Sequence, residues 1–313
     1  MKAKDTKIWI AHLAVLAALA VLLAVLPAYH ATNLARILTL AVFATGYNLA
    51  FGYTGLLSLG HALFFAAGVY GAALPVTYLG IAPLPAILFG IVAGGVMALL
   101  VGLLALRTAG VSFMIVTLMF AQAGYLTLLY FGPITGGDEG LVMPDATALI
   151  PGLTPDTARA GIAFALFAVA LLLSLAVVQS RLGRVMVAMR ENEERSRMLG
   201  YNPFTVKLTA LVLSGLFAGA AGAGYAMLFG YAGATFATIQ YSILPMLYVL
   251  MGGAGTTLGP LIGTAAMFYL VDGAARITTA TLLVVGVALV LLILFAPRGI
   301  LGTLRERGAR WIP

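Results

Sequence analysis

"RLGRVMVAMRENEERSRMLGYNPFTVK", residues 181–207, holds six of the 17 Lys and Arg and three of the 10 Asp and Glu of the chain. The apolar runs on either side of this island decide the fold. Over 313 residues, 62% are hydrophobic and 9% charged, with a mean hydropathy of +1.08. Soluble domains carry about 25% charged residues, so composition alone predicts an integral membrane protein. Working outward from the island, runs bounded by Gly, Pro or charge predict ten membrane helices. They lie at 8–26, 34–52, 58–79, 84–106, 110–131, 160–179, 208–230, 239–254, 258–274 and 279–296.

Ten crossings return the chain to its starting side. Lys and Arg favour cytoplasmic loops, and with the N-terminus inside only Arg36, Arg159 and Arg276 fall outside. The expected fold is therefore an all-α polytopic bundle of about ten transmembrane helices, some short or broken, with both termini cytoplasmic. It forms one membrane domain over residues 1–313. The formal charge of +7 fixes orientation, and no motif ties it to nucleic acid. Lys2, Lys4 and Lys7 precede a first apolar run that is long for the roughly 7–15 residues of a signal peptide. We expect an uncleaved helix there, although Ala28-Tyr29-His30-Ala31 leaves cleavage open.

Two places break the apolar pattern in the same way. "FGYTGLLSLGH" (51–61) and "GGAGTTLG" (252–259) align Gly52 with Gly252, Gly55 with Gly255 and Leu59-Gly60 with Leu258-Gly259, which suggests a degenerate internal repeat. Interrupted helices survive at membrane depth only where the freed backbone is buried in protein or faces a wet cavity. Small residues at four-residue spacing, such as Gly90 and Gly94 or Ser214, Ala218 and Gly222, suit close packing of helix backbones.

The hydrophilic segments are asymmetric. Residues 132–159 form the one long extracytoplasmic loop, with Asp138, Glu139, Asp145 and Asp156 against a lone Arg159. On the cytoplasmic side, 184–199 reads as one short helix, with Val185, Ala188, Met189 and Asn192 as an exposed edge suited to a groove on a partner. Gly200 is a helix stop and Asn202-Pro203 a restart.

Several chemistries are excluded. The chain has no Cys, so disulfides, thiolate metal sites and Cys nucleophiles are ruled out, and no metal site is expected. None of the four lysines follows a glycine, so there is no Walker-type ATP site. No charged residue lies between Arg36 and Arg107 or between Lys207 and Asp272, where an ion-coupled carrier commonly places one. His61, the lone ionisable candidate there, is expected to be a hydrogen-bonded structural residue. The chain is not expected to be an enzyme; it moves a solute with energy supplied elsewhere.

Six blocks then carry a family resemblance: "NLAFGYTGLLSLGHALFFAAGVYGAAL" (48–74), "LRTAGVSFMIVTLMFAQ" (106–122), "TGGDEGL" (135–141), "AMRENEERSRMLGYNPFTVKLTALVLSGLFAGAAGA" (188–223), "LMGGAGTTLGPLIGT" (250–264) and "LFAPRGILG" (294–302). In this order they resemble permease subunits of branched-chain amino-acid ABC importers. The long Thr-Gly-Gly-Asp loop is more similar to the M-type than to the H-type subunit. The resemblance implies a second, H-type permease, two cytoplasmic ATPase subunits that use ATP and Mg, and an extracytoplasmic solute-binding protein. This chain would bind no cofactor and would sit in a bacterial or archaeal cytoplasmic (inner) membrane.

Residues 188–200 match the family's coupling element, which seats in the ATPase. Its departure is Arg195-Ser196, where the family commonly has small residues. The implied coupling residues are Arg184, Met189, Arg190, Glu191, Glu193, Glu194 and Gly200. Asn48, Thr54, Ser58, His61, Thr256 and Thr257 are the polar candidates along the translocation path, and Gly136, Gly137, Asp138 and Glu139 those for contact with the binding protein. The implied substrates are Leu, Ile and Val. Urea, short amides or aromatic acids are the alternative within the family, and a stand-alone secondary transporter the alternative outside it.

Overall fold

The computed structural model describes residues 3–143, 154–296 and 298–307. Fourteen α-helices among these residues account for nearly all of the described chain. Each expected span has a helix: α1 (Ala3–Val25), α2 (Ala28–Asn48), α3 (His61–Leu79), α4 (Pro83–Ala105), α5 (Val111–Tyr130), α7 (Pro155–Gln179), α10 (Pro203–Phe229), α11 (Ile239–Gly252), α12 (Gly259–Ile277) and α13 (Thr281–Phe295). Among the described residues seven of these, α1 to α5, α7 and α10, are long and apolar enough to cross a membrane unaided, whereas α11 has only 14 residues.

Several helices begin earlier than their apolar runs, two of them at side-chain caps. Thr154 accepts a hydrogen bond from the Thr157 amide, with Pro155 in the first turn, and Asn202 caps Phe204 with Pro203 behind it. Cap chemistry of this kind starts a helix whether or not its first turn is apolar. As a result α7 takes in Asp156 and Arg159, and α10 takes in Lys207. Residues 132–159 are thus partly structured, as the short α6 (Gly132–Thr135), β1 (Leu141–Val142) and the first turn of α7; 144–153, with Asp145, lie outside the described residues.

Helix α10 runs through the bundle, packed on α2, α3, α4 and α7. The apolar window of α2 is 83% buried and that of α5 only 17%, so α2 is core and α5 lies at the rim of the bundle. Glycines set the α4–α10 spacing. A Cβ on Gly219 would lie 2.6 Å from the Gly90 carbonyl oxygen and 3.0 Å from Gly94 Cα. In lipid, where apolar burial does not drive association, this close backbone approach supplies the packing. The outer walls show leucine, valine and phenylalanine, among them Leu88, Phe89, Val92 and Val96 of α4, as a lipid-facing surface requires.

The ends of α10 mark the two ends of the molecule, roughly 40 Å apart at 1.5 Å per residue. At its start lie α8 (Arg181–Glu191) and α9 (Glu193–Met198). At its finish β2 (Tyr231–Ala232) pairs antiparallel with β1, Leu141 opposite Ala232 and Val142 opposite Tyr231.

Candidate functional site

At residue 49 the α-helix of α2 widens into one π turn, Leu49–Tyr53, and the chain then runs without helix to Gly60. The second break, residues 253–258, separates α11 from α12. The two breaks touch. Gly55 and Gly255 both sit at positive φ, +76° and +78°, a backbone region open to glycine at little cost. The facing backbones approach so closely that a Cβ on Gly52 would lie 2.6 Å from the Gly255 nitrogen. The two breaks therefore meet in space, with Gly52 of the first against Gly255 of the second rather than each glycine against its sequence match.

Asn48 joins the breaks. Its Nδ2 donates to the Thr256 carbonyl at 2.9 Å and its Oδ1 accepts from the Gly255 amide at 2.9 Å, with the side chain 2% exposed. The first loop is satisfied from several sides. Tyr47 donates to the Ser58 carbonyl (3.2 Å), the Leu59 amide to Thr117 (3.1 Å) and the Ala62 amide to Ser242 Oγ (3.0 Å). Buried backbone at this depth needs such partners, since lipid offers none.

The expected path residues Asn48, Thr54, Ser58, His61, Thr256 and Thr257 are all buried and do gather at these breaks. Their polar atoms are largely engaged within the protein. Thr54 donates to the Leu49 carbonyl, Ser58 Oγ accepts from the Gly60 amide, and Thr256 donates to the Gly253 carbonyl. His61 Nε2 bonds Ser214 Oγ at 2.8 Å, and its ring meets Tyr47 edge-on. They hold the loops in shape.

Sequence reasoning missed one member of this cluster, His12 of α1. Its Nδ1 lies 2.8 Å from the Ile8 carbonyl oxygen, which can only accept, so Nδ1 carries the proton. In the neutral ring Nε2 then accepts from the Thr257 hydroxyl at 2.7 Å. An ionisable residue within the first apolar run was the available signal.

The segment 184–199 is two helices, not the expected one. Asn192 has φ −160° and ψ 105°, and its Oδ1 accepts from the Arg195 amide at 2.8 Å, which caps α9. Glu193 and Glu194 then fall in the first turn of α9 and Arg195 and Arg197 in its last, matched to the helix dipole. Gly200, φ +89°, closes α9 in a Schellman turn, with Gly200 N bonded to the Arg197 carbonyl and Tyr201 N to the Ser196 carbonyl.

The exposed Val/Met edge is also corrected. Met186 and Met189 are buried, because α8 packs back on α7 and α10. The apolar side chains turned outward are Met198 (85% exposed), Leu199 and Tyr201 at the tip. Arg184, Glu191, Glu194 and Gly200 are exposed around them, and Glu193 pairs with Lys207 at 2.6 Å.

Arg190 connects this pair of helices to the breaks. Its Nη1 donates to the Gly52 carbonyl oxygen, and its aliphatic stem lies on Gly55, with Cγ 3.2 Å from where a Cβ would stand. A cavity of about 540 Å³ opens beside it, between residues 54–57, the α4–α5 turn and α8–α9, with Thr54, Thr108, Glu193 and Lys207 on its walls. Arg190 thus ties α8 to the Gly52–Gly55 loop, which Asn48 in turn joins to the second break.

At the opposite end, Gly136, Gly137, Asp138 and Glu139 form a turn between α6 and β1. Gly136 and Gly137 have φ +77° and +56°. Thr135 Oγ1 accepts from the Gly137 amide, and Tyr231 donates to the Glu139 carbonyl at 3.1 Å, so the turn is fixed to the end of α10. Both acidic side chains face outward, exposed.

Residues 29–296 match the family model described as branched-chain amino acid transport system / permease component. The chain is 30% identical to the high-affinity branched-chain amino acid transport system permease protein LivM of Escherichia coli, over 85% of this chain and 68% of that protein. It is 29% identical, with the same coverage, to the protein of that description in Salmonella typhimurium. A probable branched-chain amino acid transport permease protein LivM of Methanocaldococcus jannaschii is 26% identical over 48% of this chain and 44% of its own length. With its paired glycine breaks held inside an apolar helical bundle, the chain belongs to the family of permease components of branched-chain amino acid transport systems.

Proposed function

We propose that this chain carries branched-chain amino acids across a bacterial or archaeal cytoplasmic membrane, as the permease subunit of an importer driven by separate ATPase subunits. The observation that carries the mechanism is the Arg190 bond to the Gly52 carbonyl. It leads from a projecting helix pair into the loops that break the membrane helices.

In this reading α8–α9 face the cytoplasm, as do both termini. Met198, Leu199 and Tyr201 seat in an ATPase subunit, with Glu191, Glu194, Arg195 and Arg197 as the charged rim. ATP-driven closure of the ATPases pushes α8; Arg190 and Asn48 then move both glycine breaks together, and the path opens alternately to the two sides. The 136–139 turn faces outward and receives the solute-binding protein. A second, H-type permease completes the core. The primary test is purification of the tagged chain from its native membrane in mild detergent. An ATPase pair and a second hydrophobic permease are expected to accompany it, and uptake is expected to need ATP. A lone chain that transports leucine without ATP would refute the importer reading.

Replacing Glu193 with Ala and Gly200 with Val together should uncouple the complex. The first change removes the partner of Lys207, and the second puts a β-branched residue at φ +89° in open space, where it strains only the turn. Uptake per ATP hydrolysed should fall severalfold or more while the complex still assembles. Undiminished uptake per ATP would count strongly against α8–α9 as the coupling element. Charge reversal of Asp138 and Glu139 to Lys should weaken stimulation of ATP hydrolysis by the binding protein, most at low salt, because screening beyond roughly 10 Å removes rim electrostatics at 0.1 M. Stimulation equal to wild type at low salt would remove this turn from the docking surface.

A further inference from the structure

Near the end of the bundle that bears β1 and β2, a cavity of about 280 Å³ lies between α2, α10, α11 and α12. Arg36, Tyr225, Tyr241, Tyr248, Phe268 and Asp272 line it. Its volume is near the lower end of ligand pockets, which suits a small solute. Arg36 sits eight residues into α2, roughly 12 Å along the helix axis from its first residue.

The state of this guanidinium is unusual. Its Cζ lies 5.6 Å from the Phe229 ring centroid and 5.5 Å from that of Phe268. Its Nε is buried without a hydrogen-bond partner. Among the described residues no carboxylate pairs with it. Asp272, on the same cavity, is engaged instead with Arg276, Nη2 to Oδ2 at 2.8 Å, and Arg276 also donates to the Tyr29 hydroxyl at 3.1 Å. This partly exposed guanidinium thus keeps one buried unmet donor beside the cavity, and a planar guanidinium binds a carboxylate through paired donors.

We propose that Arg36 binds the carboxylate of the incoming solute in this cavity, with the solute's apolar side chain against Leu40, Leu244 and Met267. The proposal rests on the importer reading above and deepens it. The site selects carboxylate-bearing solutes over neutral ureas and amides. Arg36 is the entry contact, and the glycine breaks lie beyond it toward the other face.

The test uses the assembled importer in detergent without its binding protein, so that the receptor's own selectivity does not enter. Saturation-transfer NMR compares leucine with leucinamide, which keeps the side chain and amine and lacks the carboxylate. Leucine is expected to bind at least about 30-fold more tightly, since removing one partner of a buried charged pair costs that much or more. Arg36→Gln should erase the difference and Arg36→Lys should restore part of it, whereas a merely structural arginine would change assembly without changing selectivity. Equal binding of the two compounds by wild type, or undiminished preference in Arg36→Gln, overturns the proposal. If the Gln variant fails to assemble, the wild-type comparison decides. Carboxylate-selective binding in a complex that imports no branched-chain amino acid would refute the branched-chain substrate of that reading and leave the Arg36 site standing.

Discussion

An Asn48→Leu permease is expected to lose solute uptake and to unfold at a markedly lower temperature than wild type. Leucine repeats the heavy-atom branching of asparagine but is the bulkier residue, so some overpacking adds to the loss of the polar contacts. The substitution leaves the Thr256 carbonyl and the Gly255 amide without the partners that Asn48 supplies. Each orphaned group costs about 1–3 kcal/mol, so the pair costs roughly 2–6 kcal/mol, and the damage falls where both breaks meet. Thermal unfolding followed by size-exclusion chromatography, with uptake in proteoliposomes, checks this. A leucine variant with the wild-type midpoint would show that the loops are held by something other than Asn48.

Gly219→Leu is expected to be more severe. Its Cβ would lie 2.6 Å from the Gly90 carbonyl oxygen and 3.0 Å from Gly94 Cα, both backbone atoms of α4 that no rotamer change can move. Overpacking a soluble core costs about 1–3 kcal/mol, occasionally more. Here the helices must part along their glycine seam, which forfeits the contacts that hold them in lipid. Gly161→Leu is the control, because a Cβ there meets nothing within 4 Å. Immunoblots of membranes should show Gly161→Leu near the wild-type level and Gly219→Leu largely absent. Equal amounts of the two would disprove the role of the seam.

Some of this was legible because its signal is periodic or compositional. Ten apolar runs gave ten helices, and the matching glycine grammar at 52–60 and 252–259 became two breaks in contact. The missed features depend on side chains that act through specific bonds. Asn192 ends α8 and caps α9 with one oxygen, which hydrophobic spacing does not register, so 184–199 read as one helix. Met189 looked available because its edge was apolar, yet an apolar edge fits the protein's own interior equally well, and α8 turns that edge inward. Arg36 was counted only as an outside charge, and its aromatic neighbours come from α10, α11 and α12. His12 and Thr257 are 245 residues apart, and nothing local announces such a pairing.

The Asn48 stitch also bears on how the protein is made. Its partners lie 207 and 208 residues downstream. At the usual 5–20 residues per second of synthesis, the first break emerges from the ribosome on the order of 10–40 s before the backbone that will satisfy it. For that interval α2 and α3 are in or near the bilayer with an unpartnered side-chain amide and a loop still open on one side. The nascent chain therefore has to be sheltered by the insertion machinery, or by water held at the break, until α11 and α12 arrive.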